Sequence, residues 1–537
     1  MASRSTKSRK KSQTVVDIVR VQSIVKFSRE RILDEAEHLE LKKAVDLIED
    51  LITPAFRNNE TTKAVCGDET AKDINGDETT EDINGDEAAA TEEEGKPKRK
   101  GGNGRKKPTD FTKAVHVDIP HPELKHGDPC PCGCGGKVYR ATRNKTFRHF
   151  VGCPPIQVTI YETEVLHSRL CDSTYAAPLP TGVGPSHYDA TAVSVLALSR
   201  YGTGIPLYRQ AGFLGALGVA IASSTQYEVV AKAAQQLKVI FEELKKIAAQ
   251  GKLAHFDDTG MQILKFVRDK DDKRTGIHTT GILSIHEAFQ VGLYLTGRNH
   301  AGENMAELDK LRDPNLPAML KMSDALSSNF SEIEEETEED VIACCMSHGR
   351  RNFVKVAKDF PEITRRILLA IGQVYHNDKV AREDELSPEA RLAFHQTNSK
   401  EVMDGLKAEL ERQLDGQVED NSSLGRAMQY MINHWEPMTL FLRVAGAPLD
   451  NNPAERLIKK AVLHRKNSLF YRTIKGAQTG DLYMSFIYTC QLNKKNPFDY
   501  LTELQRHSAE AAASPGDWMP WTYETTMQHL RSSEPLS

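Results

Sequence analysis

"KLAHFDDTGMQILKFV", Lys252 to Val267, is the stretch on which the reading of this chain turns. It is a strand-like run, and two more follow after turn residues: "HTTGILSIHE" (His278–Glu287) and "FQVGLYLTG" (Phe289–Gly297). Three such runs in succession predict an antiparallel meander. A helix, "GENMAELDKL" from Gly302, and a fourth short strand, "AMLKMSD" ending at Asp324, come next. The predicted order is therefore strand–strand–strand–helix–strand, with Asp257 closing the first strand and Asp324 the fourth. Residues 341–440 return to helix, and a further helix is expected to start at Pro453, with Glu455 in its first turn.

Those three acids suggest a chemistry. Two divalent ions about 4 Å apart, held by a few carboxylates, activate an attacking oxygen and stabilise a leaving one in phosphodiester exchange. Asp257, Asp324 and Glu455 are separated by 67 and 131 positions, and the second interval is too long for one crossover, so it implies an inserted helical subdomain. Each acid also has a plainer reading. Asp257 with Asp258 and Thr259 forms a polar turn, and Asp324 caps a helix begun by "ALSSNF". Glu455 closes a capping box with Asn452 as cap and Pro453 in the first helical position. Capping and ligation are compatible, because a helix N-terminus keeps a carboxylate ionised.

The chain has 537 residues, enough for several domains, and its net charge of -5 hides a strong segregation. Residues 60–94 and "SEIEEETEED" (Ser331–Asp340) are acidic, while bases collect at 4–11, at 96–107 and at 456–475. The last block, Arg456, Lys459, Lys460, Arg465, Lys466, Arg472 and Lys475, suits a polyanion such as nucleic acid. No run approaches the roughly 20 apolar residues that span a bilayer, and no secretory signal is expected at the basic N-terminus. Nine cysteines, four of them crowded between Cys130 and Cys153, do not make a disulfide framework, so a reducing, cytoplasmic location is expected.

The organisation follows from composition. Residues 1–55 hold a basic N-terminus and an amphipathic helix over 28–52. Residues 56–112 are a disordered linker carrying the nine-residue repeats "GDETAKDIN", "GDETTEDIN" and "GDEAAATEE". A cysteine-rich region spans 113–180 and a helical region 181–250, where Gly218 separates two helices in a helix-turn-helix-like order that equally fits an ordinary hairpin. The sheet occupies 251–340, the inserted helices 341–445, the returning core segment 446–500, and a C-terminal tail 501–537.

Five ordered motifs resemble one family, the insertion-sequence-66 type transposases, DDE-superfamily proteins with a ribonuclease-H-like core. "DNNPAERLIKKAVLHRKNSLF" from Asp450, with "GAQTGDLYMSFIYTCQLNKKNPFDYL" after it, resembles the segment that carries the family's third acid. "GIPLYRQAGFLGALGVAIASSTQYEVV" from Gly204 is similar to the helical segment before the core. "FDDTG" at Phe256 resembles the motif of the first acid, with Asp258 where the family usually has Glu. "CMSHGRRNF" from Cys345 and "WMPW" from Trp518 are similar to later motifs. The likeness covers about 110 to 521. The implied fold is a multidomain α+β chain: a ribonuclease-H-like α/β catalytic core with an inserted helical subdomain, preceded by helical and small zinc-ribbon-like regions.

The resemblance also implies a function. Asp257, Asp324 and Glu455 become the catalytic acids, holding two Mg²⁺ ions (or Mn²⁺), although Asp324 is followed by Ala325 and Leu326 rather than the family's usual Gly-Tyr. The expected activity is cutting at the ends of an insertion sequence and joining the 3′ ends to target DNA. A nuclease that cuts without joining and a non-catalytic DNA-binding descendant are the alternatives. Double-stranded DNA, a homo-oligomer on DNA, accessory proteins of the same element and a nucleoid-associated location follow as expectations. Arg350, Arg351, Arg456, Lys459, Arg465 and Lys466 are the expected phosphate contacts. Cys130, Cys134 and Cys171 are candidate Zn²⁺ ligands; their irregular spacing leaves Cys153, His149 or His167 as substitutes and a metal-free vestigial ribbon as the alternative.

Overall fold

Leu253–Gly260 (β1) is a run in which Ala254, His255 and Phe256 are all buried, so the strand must be covered on both faces and belongs in the middle of a sheet. A computed structural model shows it there. The structure describes residues 122–533 apart from 133, 140–152, 168–173, 182, 184–185, 267–275, 325–340 and 417. The helix expected over 28–52, the nine-residue repeats, the basic blocks at 4–11 and 96–107, and the acidic run 331–340 lie outside the described residues.

The chain divides into two units, residues 1–146 and 147–537. In the second, β1, His278–Ile285 (β2), Gln290–Gly297 (β3), Leu320–Ser323 (β4) and Val341–Cys344 (β5) form one mixed sheet in the order β3-β2-β1-β4-β5. The meander is antiparallel, pairing Asp257 with Gly281 and Gly281 with Tyr294. β4 and β5 run parallel to β1, with His255 opposite Met322 and Ser323 opposite Cys344. Two strand expectations need correction. β1 runs past Asp257, expected to close it, as far as Gly260, because its ladder with β2 continues through Asp258–Thr280 and Thr259–Thr279 to Gly260–His278. Val341–Cys344, read as the start of a helix, is the fifth strand; its apolar residues fill the open edge of β4.

Three helices precede the sheet: α1 (Ala190–Ala197), α2 (Leu207–Ala216) and α3 (Ser223–Ala248). Gly218 makes the turn between α2 and α3 at φ +81°, where a side chain would be strained. The cap of α3 is Ala222 rather than a serine. Helix α4 (Ala301–Asp309) links β3 to β4. After β5 come α5 (Met346–Val356), α6 (Pro361–Glu383), α7 (Pro388–Asn398), α8 (Lys400–Leu414) and α9 (Ser423–Asn433). Their apolar faces meet in a core of their own around Ile367, Ile371, Met403, Leu410, Met428 and Met431. Residues 501–533, expected as a tail, are packed: Trp518 is buried and Trp521 stacks on Phe289 at 3.9 Å.

The chain then returns to the sheet as α10 (Asn452–Ser468) and α11 (Ile474–Leu492). Both sit unusually close to it. A Cβ on Gly292 would stand 2.6 Å from the Tyr488 ring and 3.3 Å from Leu457, and one on Gly281 would stand 3.1 Å from Leu457. The Tyr294 hydroxyl donates to the Leu457 carbonyl at 2.8 Å.

Asp481 braces α11 to β3, accepting from the Thr296 amide at 2.8 Å and the Thr296 hydroxyl at 2.6 Å. Burial pushes its carboxyl up to about 7 in spite of both bonds. The folded protein thus binds this proton more tightly than the unfolded chain does. The stability it contributes is complete below the ordinary Asp value and is lost as pH rises through about 7. Asp481→Asn is therefore expected to remove a decline of about 1.4 kcal/mol per pH unit over part of that window. Urea midpoints of parent and variant from pH 4 to 8 measure this, and parallel curves would show that Asp481 does not titrate there.

Candidate active site

Asp257 lies within β1, three residues before its end, and not at its close as the pattern suggested. Directly paired residues of an antiparallel ladder point to one face, so Asp257 shares its face with Gly281, the face that α10 covers. Asp324 follows β4 immediately. Two residues beyond the His255–Met322 pair, the parallel register carries Asp324 to a place beside Asp257. Glu455 is the fourth residue of α10.

Electrostatics reports the same convergence. Asp257 is pushed up to about 8, first by burial, next by the charge of Asp324, with Asp258 and Glu455 adding to it. The Asp258 amide, which donates to Asp257 Oδ1 at 2.8 Å, opposes the rise. Across 67 and 131 positions of sequence, Asp324 and Glu455 come near enough to Asp257 for their charges to act on it, but ligand oxygens of the three do not all fall within 4.8 Å of one another.

Glu455 is not half of a capping box. The N-cap of α10 is Asn451, one residue earlier than expected, and its side chain caps nothing. The Glu455 carboxylate instead faces Arg351 of α5 at 3.3 Å, with His348 Nε2 at 3.9 Å. Burial and the Arg351 charge hold His348 below its ordinary value, with Glu455 pulling the other way. Arg351, expected on DNA, spends its charge on the third acid.

Sequence reasoning missed Asn451. Its amide Nδ2 donates to the Phe256 carbonyl at 2.8 Å, and its Oδ1 pairs with His255 Nδ1 at 3.1 Å. Its backbone N–H donates to Cys345 Sγ at 3.2 Å. Burial lowers His255 to about 4, so the ring is neutral and its Nδ1–H is the donor to Asn451. One buried residue thereby fastens the start of α10, by its side chain to β1 and by its backbone amide to Cys345 just after β5. The adjacent polar triplet Asp450-Asn451-Asn452 before Pro453 was the available signal, but it reads equally well as a cap. The neighbouring Cys344 and Cys345 are pushed up to about 12 by burial and remain thiols.

The expected DNA contacts are dispersed. Arg456, Lys460 and Lys466 are exposed, Lys459 and Arg350 half-buried. Arg465 donates to the Gly260 carbonyl at the end of β1. It also lines, with Arg298, His278 and Leu469, an open cavity of about 710 Å³ beside that strand end. In the first unit, Pro129 bridges Lys137 and the thiols of Cys130, Cys132 and Cys134 come within 4.8 Å of one another at the turn between them. Cys171 lies outside the described residues.

Residues 185–479 match the Transposase IS66 family. The chain belongs to it. The matched span contains all three acids, the whole sheet and α10. Two curated relatives come from Sinorhizobium fredii (strain NBRC 101917 / NGR234). The uncharacterized protein y4jD is 24% identical over 375 residues, 66% of this chain and 70% of its own. The uncharacterized protein y4hP is 24% identical over 431 residues, 76% of each. Membership in this transposase family supports a transposase-related function with DNA as partner. Among the described residues no helix is long and apolar enough to cross a membrane.

The Asn451 clamp has a measurable weight. Asn451→Ala leaves the Phe256 carbonyl and the His255 ring buried without their partner, an expected loss of about 1–3 kcal/mol. Asn452→Ala, at the half-buried first position of α10, should cost less than about 1 kcal/mol. Denaturant midpoints that rank the two variants the other way would remove Asn451 from this role.

Proposed function

We propose that this chain is a DDE transposase, which cuts DNA at the ends of an insertion sequence and joins the freed 3′ ends to target DNA. The observation that carries the reading is the convergence of Asp257, Asp324 and Glu455 at one end of the sheet, where their charges and burial raise Asp257 to about 8. The strand order β3-β2-β1-β4-β5, three antiparallel strands followed by two parallel ones, supports a ribonuclease-H-like core. The separate apolar core of α5 to α9 supports an inserted helical subdomain.

The donor set fits magnesium. All three acids offer hard carboxylate oxygens, and Mg²⁺ needs few of them because it retains waters. A divalent cation would also offset the burial and the neighbouring charges that push the Asp257 carboxyl up. Asp257, Asp324 and Glu455 would hold two such ions, with Mn²⁺ a substitute; bound, they supply Lewis acidity toward phosphate and the attacking oxygen. The thiols of Cys130, Cys132 and Cys134 suit Zn²⁺ in a separate structural role.

The chain itself contributes placement and charge. β1 and β4 present two acids in register, and the Asn451 clamp holds α10 so that Glu455 completes the group. Arg351 balances Glu455 until the site is loaded. Arg456, Lys459 and Lys466, on the helix that carries Glu455, lie along the DNA backbone, helped by Arg350 and Arg465 at the margins. In the first step a water oxygen bonds to phosphorus and the P–O3′ bond breaks, the leaving oxygen taking a proton from solvent. In the second, the freed 3′-hydroxyl oxygen bonds to a target phosphorus and a P–O3′ bond of the target breaks. A homo-oligomer on DNA would pair the two element ends, with accessory proteins of the element as further partners.

Asp257→Asn, Asp324→Asn and Glu455→Gln are each expected to lower strand joining by about 10²-fold or more while end-DNA binding persists. Joining retained by Glu455→Gln would overturn the assignment, and cutting without joining by the parent would make the protein a nuclease. Replacing Arg456, Lys459 and Lys466 with Ala should flatten the dependence of log affinity on log salt by about 2–3, near 0.9 per phosphate contact. An unchanged slope would place the DNA elsewhere.

A further inference from the structure

Asp258 follows Asp257 on β1, and strand alternation sends its side chain to the other face of the sheet. It pairs with Thr280, and two residues before Thr280 on the same face stands His278, the first residue of β2. His300 precedes α4 and reaches into the same place. His300 Nδ1 lies 2.9 Å from Asp258 Oδ2, and His278 Nδ1 lies 4.0 Å from Asp258 Oδ1. The two imidazoles are 4.0 Å apart between centroids, tilted by 41°. One ligand atom from each of the three residues falls within 4.8 Å of the others.

An ordinary hydrogen-bonded Asp–His pair explains His300 but not His278. The Nδ1 of His278 is buried and has no hydrogen-bond partner, and 4.0 Å to the carboxylate is too long for one. A buried ring nitrogen left without a partner costs about 1–3 kcal/mol, so it needs a reason. We propose that Asp258, His278 and His300 form a binding site for a transition-metal ion of the Zn²⁺ class, separate from the three-acid group on the opposite face.

The geometry and the donors agree. Metal–ligand bonds of about 2.0–2.2 Å in a tetrahedral shell separate neighbouring ligand atoms by about 3.3–3.6 Å. His300 Nδ1 stands 2.9 Å from Oδ2 of Asp258 and His278 Nδ1 4.0 Å from Oδ1, one on each side of that value, and one ligand atom from each residue lies within 4.8 Å of the others. Two imidazoles and one carboxylate suit Zn²⁺, Ni²⁺ or Co²⁺, whereas Mg²⁺ prefers oxygen alone. Side-chain exposures of 16%, 20% and 35% for Asp258, His278 and His300 leave room for a water as fourth ligand. The surrounding bonds orient the set as outer-shell partners do. Glu303 accepts from the His300 amide at 2.7 Å, and the Ala301 amide donates to Asp258 Oδ2 at 3.4 Å. An ion here would tie the end of β1, the start of β2 and the start of α4 together, one peptide away from Asp257.

The full chain, stripped by a chelator, can be titrated with Zn²⁺ against a chromophoric indicator under excess Mg²⁺. Because the thiols of the cysteine-rich region would compete for zinc, the same titration is run with Cys130, Cys132, Cys134, Cys153 and Cys171 replaced by Ser. That five-serine chain is expected to bind one equivalent, with affinity reduced roughly tenfold or more in His278→Gln and in His300→Gln. With Co²⁺ it should give visible bands without thiolate charge transfer. If His300→Gln fails to fold by circular dichroism, His278→Gln, at a strand end, decides. No stoichiometric zinc in the five-serine chain, or unchanged affinity in the histidine variants, would overturn the site and leave the strand-joining proposal standing, since the readout is metal content.

Discussion

Leu457 rests on the bare backbone of Gly281 and Gly292, and its carbonyl receives the Tyr294 hydroxyl. With side chains at those two positions α10 would be held away from the sheet. Close packing of this kind leaves little slack, because a methyl-sized change is felt in an interior of crystal-like density. The distance between helix and sheet sets where Glu455 stands relative to Asp257. Asn451, at the foot of the same helix, fixes its rotation and start by bonds to β1 and to Cys345.

That packing forces an electrostatic cost. Carboxylates in a half-buried place repel one another and lose water, and the result is visible as the raised Asp257. The fold offsets part of the cost with Arg351 and His348 beside Glu455, and with the Asp258 amide on Asp257. Burial without full compensation is poor structural economy and is typical of groups arranged for chemistry. Asp481 is the structural contrast: it too is raised, but both its partners belong to Thr296 and it lies far from any opening.

β1 serves two faces. Its alternation sends Asp257 toward α10 and Asp258 toward His278 and His300, so adjacent residues enter different chemical settings. An all-oxygen group stands on one side and a mixed nitrogen–oxygen group on the other. The peptide between them, through the Asp258 amide on Asp257 Oδ1, is a physical link from one to the other.

Much was legible along the chain. Strand-like runs set off by turn residues marked β1 to β3, Gly218 marked the turn before α3, and the order of motifs singled out Asp257, Asp324 and Glu455. Local patterning reports local structure well because alternation and helical spacing arise within a few residues. It erred where neighbours decide. Val341–Cys344 is a strand because β4 leaves an edge beside it, and Glu455 is an ion-pair partner because α5 brings Arg351 to it. Asn452 was read as the cap and Asn451 passed over, and His278 and His300 attracted no notice. The residue types and their order were set by the sequence alone; which of them meet was decided by tertiary packing, since burial and pairing depend on segments more than a hundred positions apart.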